Sequence, residues 1–205
     1  QRDGGTMNTS TANLPKPLRG PAYGSIGHLP GSRKGPDKGV PSGQATICTS
    51  RVRDRHDRII VQEKLDGSCM SVANVEGNII ALGRAGWPAS TSPYLFQRLF
   101  HDWTSSREDT FKAMLKPGER LVGEWLALAH GTIYELRHGP WVVFDLMRGH
   151  ERLPYSEFLE RVVGYFPTPA LLSNGPPCSI AQALVLLGEH GHHNARDIAE
   201  GVVWR

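Results

Sequence analysis

The chain has 205 residues with a formal net charge of +3, and 39% of the residues are hydrophobic while 21% are charged. This length is enough for one domain, or two small ones, with a buried core. The longest aliphatic run, residues 183–187, falls far short of the ~20 residues of a membrane helix, and the first residues lack the pattern of a secretory signal. Three widely spaced cysteines exclude a disulfide framework and a CxxC metal site, so a reducing, cytoplasmic compartment is expected.

Positive charge is concentrated at the beginning of the chain. Residues 1–60 carry ten Lys or Arg against four Asp, a net of +6, whereas residues 61–205 carry thirteen Lys or Arg against sixteen acids, a net of −3. A basic first segment suits binding of a polyanion or a triphosphate. The alternative, a basic surface that only faces solvent, explains the charge equally well. After Lys116 the sequence contains no further lysine.

The first 43 residues contain nine Gly and six Pro, which excludes a regular helix or a central strand there. We expect residues 1–22 to be a flexible leader and residues 23–205 to form one domain. The first segment of that domain, Tyr23–Arg33, carries Tyr, Ile, His and Leu, so it is expected to be a packed loop.

Hydrophobic patterning predicts strands and helices from Ile59 onward. A turn at Glu76-Gly77-Asn78 between two alternating segments is typical of a hairpin, and Ser105-Ser106 is expected to cap a helix. In chain order, the pattern predicts strands at 59–64, 70–75 and 79–82, helices at 94–103 and between the cap and Pro117, strands at 120–127 and 141–147, helices at 156–163 and 179–189, and a strand at 201–205. Hairpins mixed with helices, without βαβ alternation, indicate an α+β fold with antiparallel sheets.

The most informative segment for chemistry is Glu63-Lys64-Leu65-Asp66-Gly67. A lysine at the end of a buried strand is desolvated inside a β-rich cleft, a condition that favours the uncharged, nucleophilic amine. Asp66, two residues on, would point to the same side of an extended chain. The alternative from these residues alone is an exposed Lys/Asp pair that leads into a β-turn.

Three acidic residues interrupt otherwise apolar strands, namely Glu124, Asp145 and Glu200. An unpaired buried charge is energetically costly, and a single such acid is usually a satisfied structural residue. Three of them, together with Lys64 and Arg84, are better explained as one polar cleft lined by strand ends.

The order of these motifs resembles the covalent nucleotidyltransferases, which comprise DNA ligases, RNA ligases and capping guanylyltransferases. The sequence carries Lys-x-Asp-Gly at 64–67, Arg84, Gly-Glu at 123–124, Phe-Asp at 144–145 and Glu-Gly-x-Val at 200–203. It is most similar to ATP-dependent RNA ligases of the phage-type, double-strand nick-sealing kind, in which a Tyr-x-Ser-Ile/Leu segment (here Tyr23–Ile26) precedes Glu-Lys-x-x-Gly. The resemblance extends to Arg205 and implies the ATP-grasp-like nucleotidyltransferase fold of ligases, with antiparallel sheets and flanking helices around a nucleotide cleft.

The resemblance also implies a reaction. Lys64 would attack the α-phosphorus of ATP, form a lysyl–AMP and release pyrophosphate. The AMP would then pass to an RNA 5′-phosphate, from which an RNA 3′-hydroxyl would displace it. Glu63, Asp66 and Gly67 would bind the nucleotide beside the lysine.

Four more residues receive roles from the resemblance. Arg84 would hold the ribose or the phosphate of the acceptor strand, and Glu124 would bind the ribose hydroxyls. Phe144 would stack on the adenine. Glu200 would act with a divalent metal, Mg²⁺ or Mn²⁺, through water to shield charge at the α-phosphate.

One family motif is missing from this sequence. Relatives carry a Lys-x-Lys strand soon after Glu-Gly-x-Val, with lysines that contact the α-phosphate, and no lysine lies between Lys116 and Arg205 here. We expect the 205-residue sequence to be a nucleotidyltransferase domain truncated at its C-terminus that forms little lysyl–AMP. The alternatives are a DNA ligase or guanylyltransferase-like enzyme, and a non-catalytic module that binds nucleotide or RNA.

Three further features have open roles at this stage. The arginines at 51, 53, 55 and 58 suit either RNA-phosphate contacts or a solvated approach to the first strand. His28 and Arg33 lie in the loop before the core, and their role is either contact with the nucleotide or RNA or none. The histidines at 190, 192 and 193 lack partners at metal-ligand spacing, so an exposed loop after a helix is favoured there.

Overall fold

The computed structural model describes residues 15–32 and 39–205, and every β-ladder between the strands of this part of the chain is antiparallel. The predicted α+β class, with helices beside antiparallel sheets, is confirmed. The strands are β1 (Ile59–Lys64), β2 (Ser68–Val75), β3 (Asn78–Gly83), β4 (Glu119–Trp125), β5 (Trp141–Arg148), β6 (Glu151–Arg152), β7 (Leu171–Gly175) and β8 (Gly201–Trp204). The helices are α1 (Ser42–Thr49), α2 (Leu95–Ser105), α3 (Glu108–Met114), α4 (Tyr155–Val162) and α5 (Ile180–Leu187), with a 3₁₀ turn at Ala89–Thr91. Across the described residues, none of the helices has the length and apolar character needed to cross a membrane.

The strands form two sheets. The larger sheet has five strands in the order β3-β2-β4-β5-β6, and the smaller sheet has three in the order β7-β1-β8. β1, which ends in Lys64, is the middle strand of the smaller sheet, so two neighbouring strands fix its position. β2 and β4 are interior strands of the larger sheet, and they carry Cys69 and Glu124 opposite each other.

The two largest of four hydrophobic clusters among the described residues support the sheets. The larger core lies between the five-stranded sheet and helices α2, α3 and α4, and it contains the fully buried rings of Phe100, Phe111 and Trp141. The Phe100 and Trp141 ring centroids lie 5.2 Å apart in an edge-to-face arrangement, which adds to the stabilisation from buried area. The smaller core joins β1 and α5 through Val61 and Ala183. Each sheet is therefore held by its own core.

Local sequence signals explain two elements that were predicted. Glu76 and Gly77 both have positive φ, 52° and 90°, and form the two-residue turn of the β2–β3 hairpin, as a type I′ turn requires. Ser179 caps α5, because its hydroxyl accepts the backbone N–H of Gln182 while the Gln182 side chain accepts the backbone N–H of Ser179.

Other elements differ from the prediction. Helix α1 and strands β6 and β7 were not predicted: β6 has only two residues, and β7 ends in Ser-Asn-Gly, which is typical of a loop. The predicted cap of α3 is wrong, since α3 has no side-chain cap and the Ser105 and Ser106 hydroxyls donate to the carbonyls of His101 and Trp103 in α2. These serines complete the helix before them instead of starting the next one.

The prediction of a flexible leader over residues 1–22 is wrong for its C-terminal part. Residues 1–14 lie outside the described part of the chain. Leu18 packs on a small cluster with Ala73 and Leu82, and Ala22 is fully buried, with its N–H donating to the Arg84 carbonyl at 3.0 Å. Residues 15–22 are therefore part of the packed domain, because apolar side chains in this segment cover the sheet.

Candidate active site

A cavity of about 590 Å³, here called the main cavity, opens between the two sheets. Small-molecule sites commonly have volumes of roughly 300–1,000 Å³. Strands β1 and β8 of the smaller sheet form one wall, β2, β4 and β5 of the larger sheet form another, and the segment Tyr23–Ile26 closes a side. Six of the predicted site residues line it: Glu63, Lys64, Gly67, Arg84, Glu124 and Phe144.

Lys64 reaches the main cavity from the end of β1. The β1–β8 ladder pairs Lys64 with Gly201, so Glu200, the residue before Gly201, lies beside the lysine. The Lys64 Nζ donates a hydrogen bond to Glu200 Oε1 within an ion pair, and the two side chains are 33% and 32% exposed. Burial raises the pKa of the Glu200 carboxyl, while the lysine charge opposes that rise. Strand register thus brings together two residues that are far apart in the sequence.

Glu124 enters the main cavity from β4. Its Oε1 accepts the backbone N–H of Gly67 at 3.1 Å, which ties the turn after Lys64 to this strand. Burial raises the pKa of Glu124 to about 7 against the opposing charge of Lys64, and the charge of Glu200 adds to the rise. This carboxyl therefore titrates near neutral pH.

Gly67 occupies a position with no room for a side chain. A Cβ there would lie 2.6 Å from the carbonyl oxygen of Trp125 and 2.7 Å from the Leu126 side chain, closer than real Cβ atoms come. The Trp125 carbonyl is backbone and cannot swing aside. Glycine is what lets the turn of the Lys-x-Asp-Gly motif pack against the strand that carries Glu124.

Phe144 presents part of its ring to the main cavity from β5, at a bulge in the β4–β5 ladder. The Tyr23 ring packs edge-on against it with 5.4 Å between centroids. The Arg205 guanidinium lies 5.2 Å from the Phe144 ring centroid, and Arg205 also donates to the Phe144 carbonyl at 3.3 Å. Phe144 is thus an aromatic wall with a cation against it.

The prediction that three strand acids form one polar wall holds only for Glu124. Glu200 contacts Lys64 but is not part of the wall of the main cavity, and Asp145 is not part of it either. Asp145 is held elsewhere. Its carboxylate is buried and lies 2.6 Å from Arg205 and 3.2 Å from Arg152, and the Tyr23 hydroxyl donates to it. Burial, together with this carboxylate, raises the pKa of Tyr23 to about 12. Asp145 is satisfied by two guanidinium groups, and it anchors the Tyr23 segment to the sheet.

The carboxylates of Glu63 and Asp66 hold loops and do not face the main cavity. Glu63 alternates with Lys64 along β1, so its carboxylate lies on the opposite side, where it is buried and accepts the backbone N–H of His192 at 2.9 Å. The Asp66 carboxylate accepts the backbone N–H of Gly131 at 2.9 Å, and Asp66 is not part of the cavity wall. The predicted direct contact of these two side chains with a nucleotide is therefore not supported by their placement.

The remaining basic residues of the sequence analysis differ in location. Arg84 is exposed at the wall of the main cavity, and its carbonyl accepts the N–H groups of Ala22 and Tyr23. The arginines at 51, 53, 55 and 58 are exposed and line no part of that cavity. His28 lies near enough to Glu200 for its charge to lower the pKa of that carboxyl, whereas Arg33 lies outside the described residues.

The histidine loop at 190–193 is partly packed, unlike the exposed loop that was predicted. His193 is buried with its Nδ1 2.7 Å from His138 Nε2, and burial lowers the pKa of His193 to about 4. The loop covers the buried carboxylate of Glu63. Within residues 15–32 and 39–205, no group of three or more His, Cys, Asp or Glu is arranged to hold a metal ion.

Residues 57–205 match the sequence profile of the RNA ligase family. This chain belongs to the RNA ligase family. The matched range contains Lys64, Arg84, Glu124, Phe144 and Glu200, and the RNA ligase resemblance inferred from motif order is confirmed. No curated protein sequence matches this ligase-family chain.

Solved structures show the fold of this RNA ligase family member. An RNA ligase variant of Naegleria gruberi with ATP and Mn matches with a TM-score of 0.59 at 17% identity, over 90% of this chain and 57% of that one. A second variant of that ligase with ATP and Mn matches with a TM-score of 0.57 at 18% identity, over 72% and 46%. An archaeal ATP-dependent RNA ligase matches with a TM-score of 0.53 at 23% identity, over 73% and 40%. The chain has the nucleotidyltransferase fold of RNA ligases, and it spans about half the length of these proteins.

The wall of the main cavity includes residues that sequence reasoning missed in this ligase-family chain. Val203 and Arg205 both line it. Side chains alternate between the two faces of a strand, so these two residues lie on the same face of β8 and its continuation, and the sequence pattern could have indicated both. Cys69 also lines it, and burial raises the pKa of its thiol to about 12, so this thiol is inert at neutral pH. Gln97 from α2 and His130 from a loop carried no local signal.

Proposed function

We propose that this chain is the adenylyltransferase part of an ATP-dependent RNA ligase and that Lys64 is its nucleophile. The supporting observation is the placement of Lys64 at the end of β1, in a cavity of nucleotide size, hydrogen-bonded to Glu200 and within range of the Glu124 charge. A partly buried lysine hydrogen-bonded to a carboxylate that can take its proton suits attack on phosphorus. The Naegleria gruberi relatives have been solved with ATP, with AMP and with PPi.

In the proposed first step, Lys64 Nζ attacks the α-phosphorus of ATP. The N–P bond forms as the bond from the α-phosphorus to the bridging oxygen breaks, and pyrophosphate leaves with that electron pair. The Lys64 ammonium first gives one proton to Glu200, which already accepts a hydrogen bond from Nζ and has a raised pKa. The nitrogen gives up a second proton, to water or to the departing pyrophosphate, once the N–P bond has formed. In the later steps AMP passes to an RNA 5′-phosphate, and an RNA 3′-hydroxyl displaces it.

The Glu200 carboxylate beside Lys64 is the proposed donor for a divalent cation. Burial withdraws it from water, and the charge of Lys64 acts on it. A carboxylate completed by waters and substrate phosphates suits Mg²⁺ or Mn²⁺, which seldom use a closed cage of protein ligands. Glu200 would hold the ion through water, and the ion when bound would neutralise charge on the phosphates.

The remaining motif residues have supporting roles in this proposal. Arg84 would hold the ribose or the phosphate of the acceptor strand, from the exposed end of the cavity wall. Gly67 would position Glu124 through its N–H. Glu63 and Asp66 would act through the loops that they hold, at 191–193 and 131, because their carboxylates are engaged there.

Phe144 is the proposed platform for adenine. Arg205 lies against the ring and is held by Asp145, so the base would stack on the part of the ring that faces the cavity. We expect Phe144→Ala to weaken ATP binding by about 1–3 kcal/mol, the usual size of base–aromatic stacking. Calorimetric titration measures the change, and Tyr165→Ala is the control because Tyr165 is an exposed aromatic residue outside the main cavity. Unchanged affinity with reduced thermal stability would assign Phe144 to the core alone.

Glu124 is proposed to bind the ribose hydroxyls, and this role has a pH signature. An ionised carboxylate accepts hydrogen bonds from both hydroxyls, and with a pKa of about 7 the ionised fraction of Glu124 grows as the pH rises through neutrality. We expect adenosine, which carries no titrating phosphate, to bind more tightly as the pH rises through about 7. In Glu124→Gln this dependence should vanish.

The stability of the free protein changes in the opposite direction. Because the folded-state pKa of Glu124 is raised, charging this residue opposes folding, so stability present at low pH is lost as the pH rises through about 7. Melting curves of the wild type and of Glu124→Gln over the same pH range separate this effect from ligand binding. Adenosine affinity that is independent of pH in the wild type would contradict the proposed ribose contact.

RNA ends are the proposed acceptors, and strand joining tests the function as a whole. The chain, extended beyond Arg205 by a Lys-x-Lys strand, is incubated with ATP, Mn²⁺ and nicked duplexes that differ only in having RNA or DNA at the nick. Joining of the RNA strands is the expected result. Joining of DNA alone would favour a DNA ligase, and transfer of GMP from GTP to the protein would favour a guanylyltransferase-like enzyme.

A second candidate function is a non-catalytic module that binds nucleotide or RNA. One observation favours it: among the described residues Lys64 is the only lysine that lines the main cavity, and it is paired with Glu200. This function predicts that adenosine and AMP bind while covalent AMP is absent from both the 205-residue chain and the extended chain.

A further inference from the structure

A second cavity, of about 340 Å³, lies beside the main cavity on the other side of the segment Tyr23–Ile26. Both cavities are lined by that segment, which therefore forms their common wall. The floor of the second cavity comes from the larger sheet and the tip of the β5–β6 hairpin. The side chains that form this floor are Arg120, Met147, His150 and Arg152.

Strand register places these side chains in one row. Arg120 on β4 is opposite Met147 on β5, and Met147 is opposite Arg152 on β6. Leu121 and Leu146, the neighbours in sequence, face the helical core, so the row faces the opposite side of the sheet. Glu124 lies four positions from Arg120 along β4 and shares this face. At ~3.3 Å per residue the two positions are separated by about 13 Å.

The second cavity carries an excess of positive charge. Arg120 is 6% exposed, and its guanidinium donates to the carbonyls of Ala22 at 2.6 Å and Gly149 at 2.5 Å. In the described part of the chain, no carboxylate forms an ion pair with it. Arg152 and Arg205 share the single carboxylate of Asp145. Arg120 and Arg152 therefore bring two guanidinium groups to the second cavity, whose described lining residues include no carboxylate. A buried charge without a counterion is costly unless an anion approaches it.

We propose that the second cavity binds a phosphate of the RNA strand whose end is processed in the main cavity, an assignment that rests on the function proposed above. Guanidinium groups recognise phosphate by paired hydrogen bonds. Arg152, 47% exposed, offers such a group at the mouth of the cavity, beside the exposed His150. A polynucleotide carries a phosphate at every residue. A strand can therefore reach both Arg120 and Glu124, whose positions on β4 are about 13 Å apart.

Variants of His150 and Arg152 test the assignment. The His150 variants change an exposed side chain, whereas Arg152→Gln also removes one of the two partners of Asp145, so AMP binding is measured beside RNA binding. We expect His150→Glu to weaken binding of a short 5′-phosphorylated single-stranded RNA and His150→Lys to tighten it, because His150 is exposed at the mouth of the cavity. Arg152→Gln should weaken it about tenfold and reduce the slope of log affinity against log salt by about 1, while Arg152→Lys should restore most of the slope. Arg196→Gln, which removes an exposed charge outside both cavities, is the matched control.

Binding of AMP and of ATP to the same proteins distinguishes the outcomes. If the wild type binds AMP and RNA, but the His150 and Arg152 variants bind RNA with the affinity and salt slope of the wild type, the second cavity is not an RNA-phosphate site. Weaker binding of ATP but not AMP by Arg152→Gln, with RNA binding intact, would assign the cavity to the triphosphate tail and overturn the proposal. Failure of the wild type to bind AMP would instead overturn the proposed function.

Discussion

Extending the chain beyond Arg205 by a Lys-x-Lys strand is expected to accelerate formation of lysyl–AMP by at least about 10²–10³, the usual effect of one group that stabilises charge in a transition state. Among the described residues, the lysines and arginines that line the main cavity are Lys64, Arg84 and Arg205. Lys64 is paired with Glu200 and Arg205 with Asp145, whereas Arg84 forms no ion pair with any carboxylate in residues 15–32 and 39–205. One exposed arginine is a weak substitute for two lysines directed at the α-phosphate.

The matched control is the same extension with both lysines replaced by alanine. Intact-mass spectrometry after addition of ATP and Mn²⁺ follows the added AMP with time in the 205-residue chain, the extended chain and the control. Adenosine binding should be alike in all three, because Phe144 and Glu124 are unchanged. Equal rates of adenylylation in the three proteins would show that Arg84 or Arg205 already serves the α-phosphate.

Replacing Lys64 is expected to abolish covalent AMP in the extended chain completely. Lys64→Ala removes the amine, and Lys64→Arg keeps the positive charge beside Glu200 but offers a group that stays protonated and cannot attack phosphorus. Both variants should keep their fold, since the Lys64 side chain is one-third exposed at the end of its strand. Adenosine should still bind, because its proposed contacts come from the larger sheet.

Lys112→Ala is the control for the two Lys64 variants. Lys112 lies on α3 outside the main cavity, where it forms an exposed ion pair with Glu108. It should be adenylylated at the rate of the parent. Full adenylylation of Lys64→Arg would show that another residue is the nucleophile.

Much of the fold was predictable because its signals are local. The β2–β3 hairpin follows from Glu76-Gly77, and the start of α5 follows from Ser179 and Gln182. The antiparallel α+β class follows from these patterns without knowledge of any long-range contact. Strand β7 could not be predicted, since its residues acquire strand geometry only by pairing with β1.

The site was predictable in composition but only partly in geometry. Lys64, Glu124 and Phe144 meet in one cavity as the motif order indicated. The position of Asp145 outside the cavity wall was not predictable. Its partners Arg152 and Arg205 come from other elements, and only the tertiary fold brings them to it. Glu63 shows the same limit, since the loop that covers its carboxylate lies far along the sequence.

The central claim, that Lys64 carries the AMP, is tested most directly by locating the modification on the protein. The extended chain is incubated with ATP and Mn²⁺, digested, and its peptides are sequenced by tandem mass spectrometry under conditions that preserve the N–P bond. AMP on the peptide that contains Glu63-Lys64-Leu65-Asp66-Gly67, at the lysine, is the predicted result. AMP on any other residue, or no covalent AMP in a protein shown to bind ATP, would contradict it.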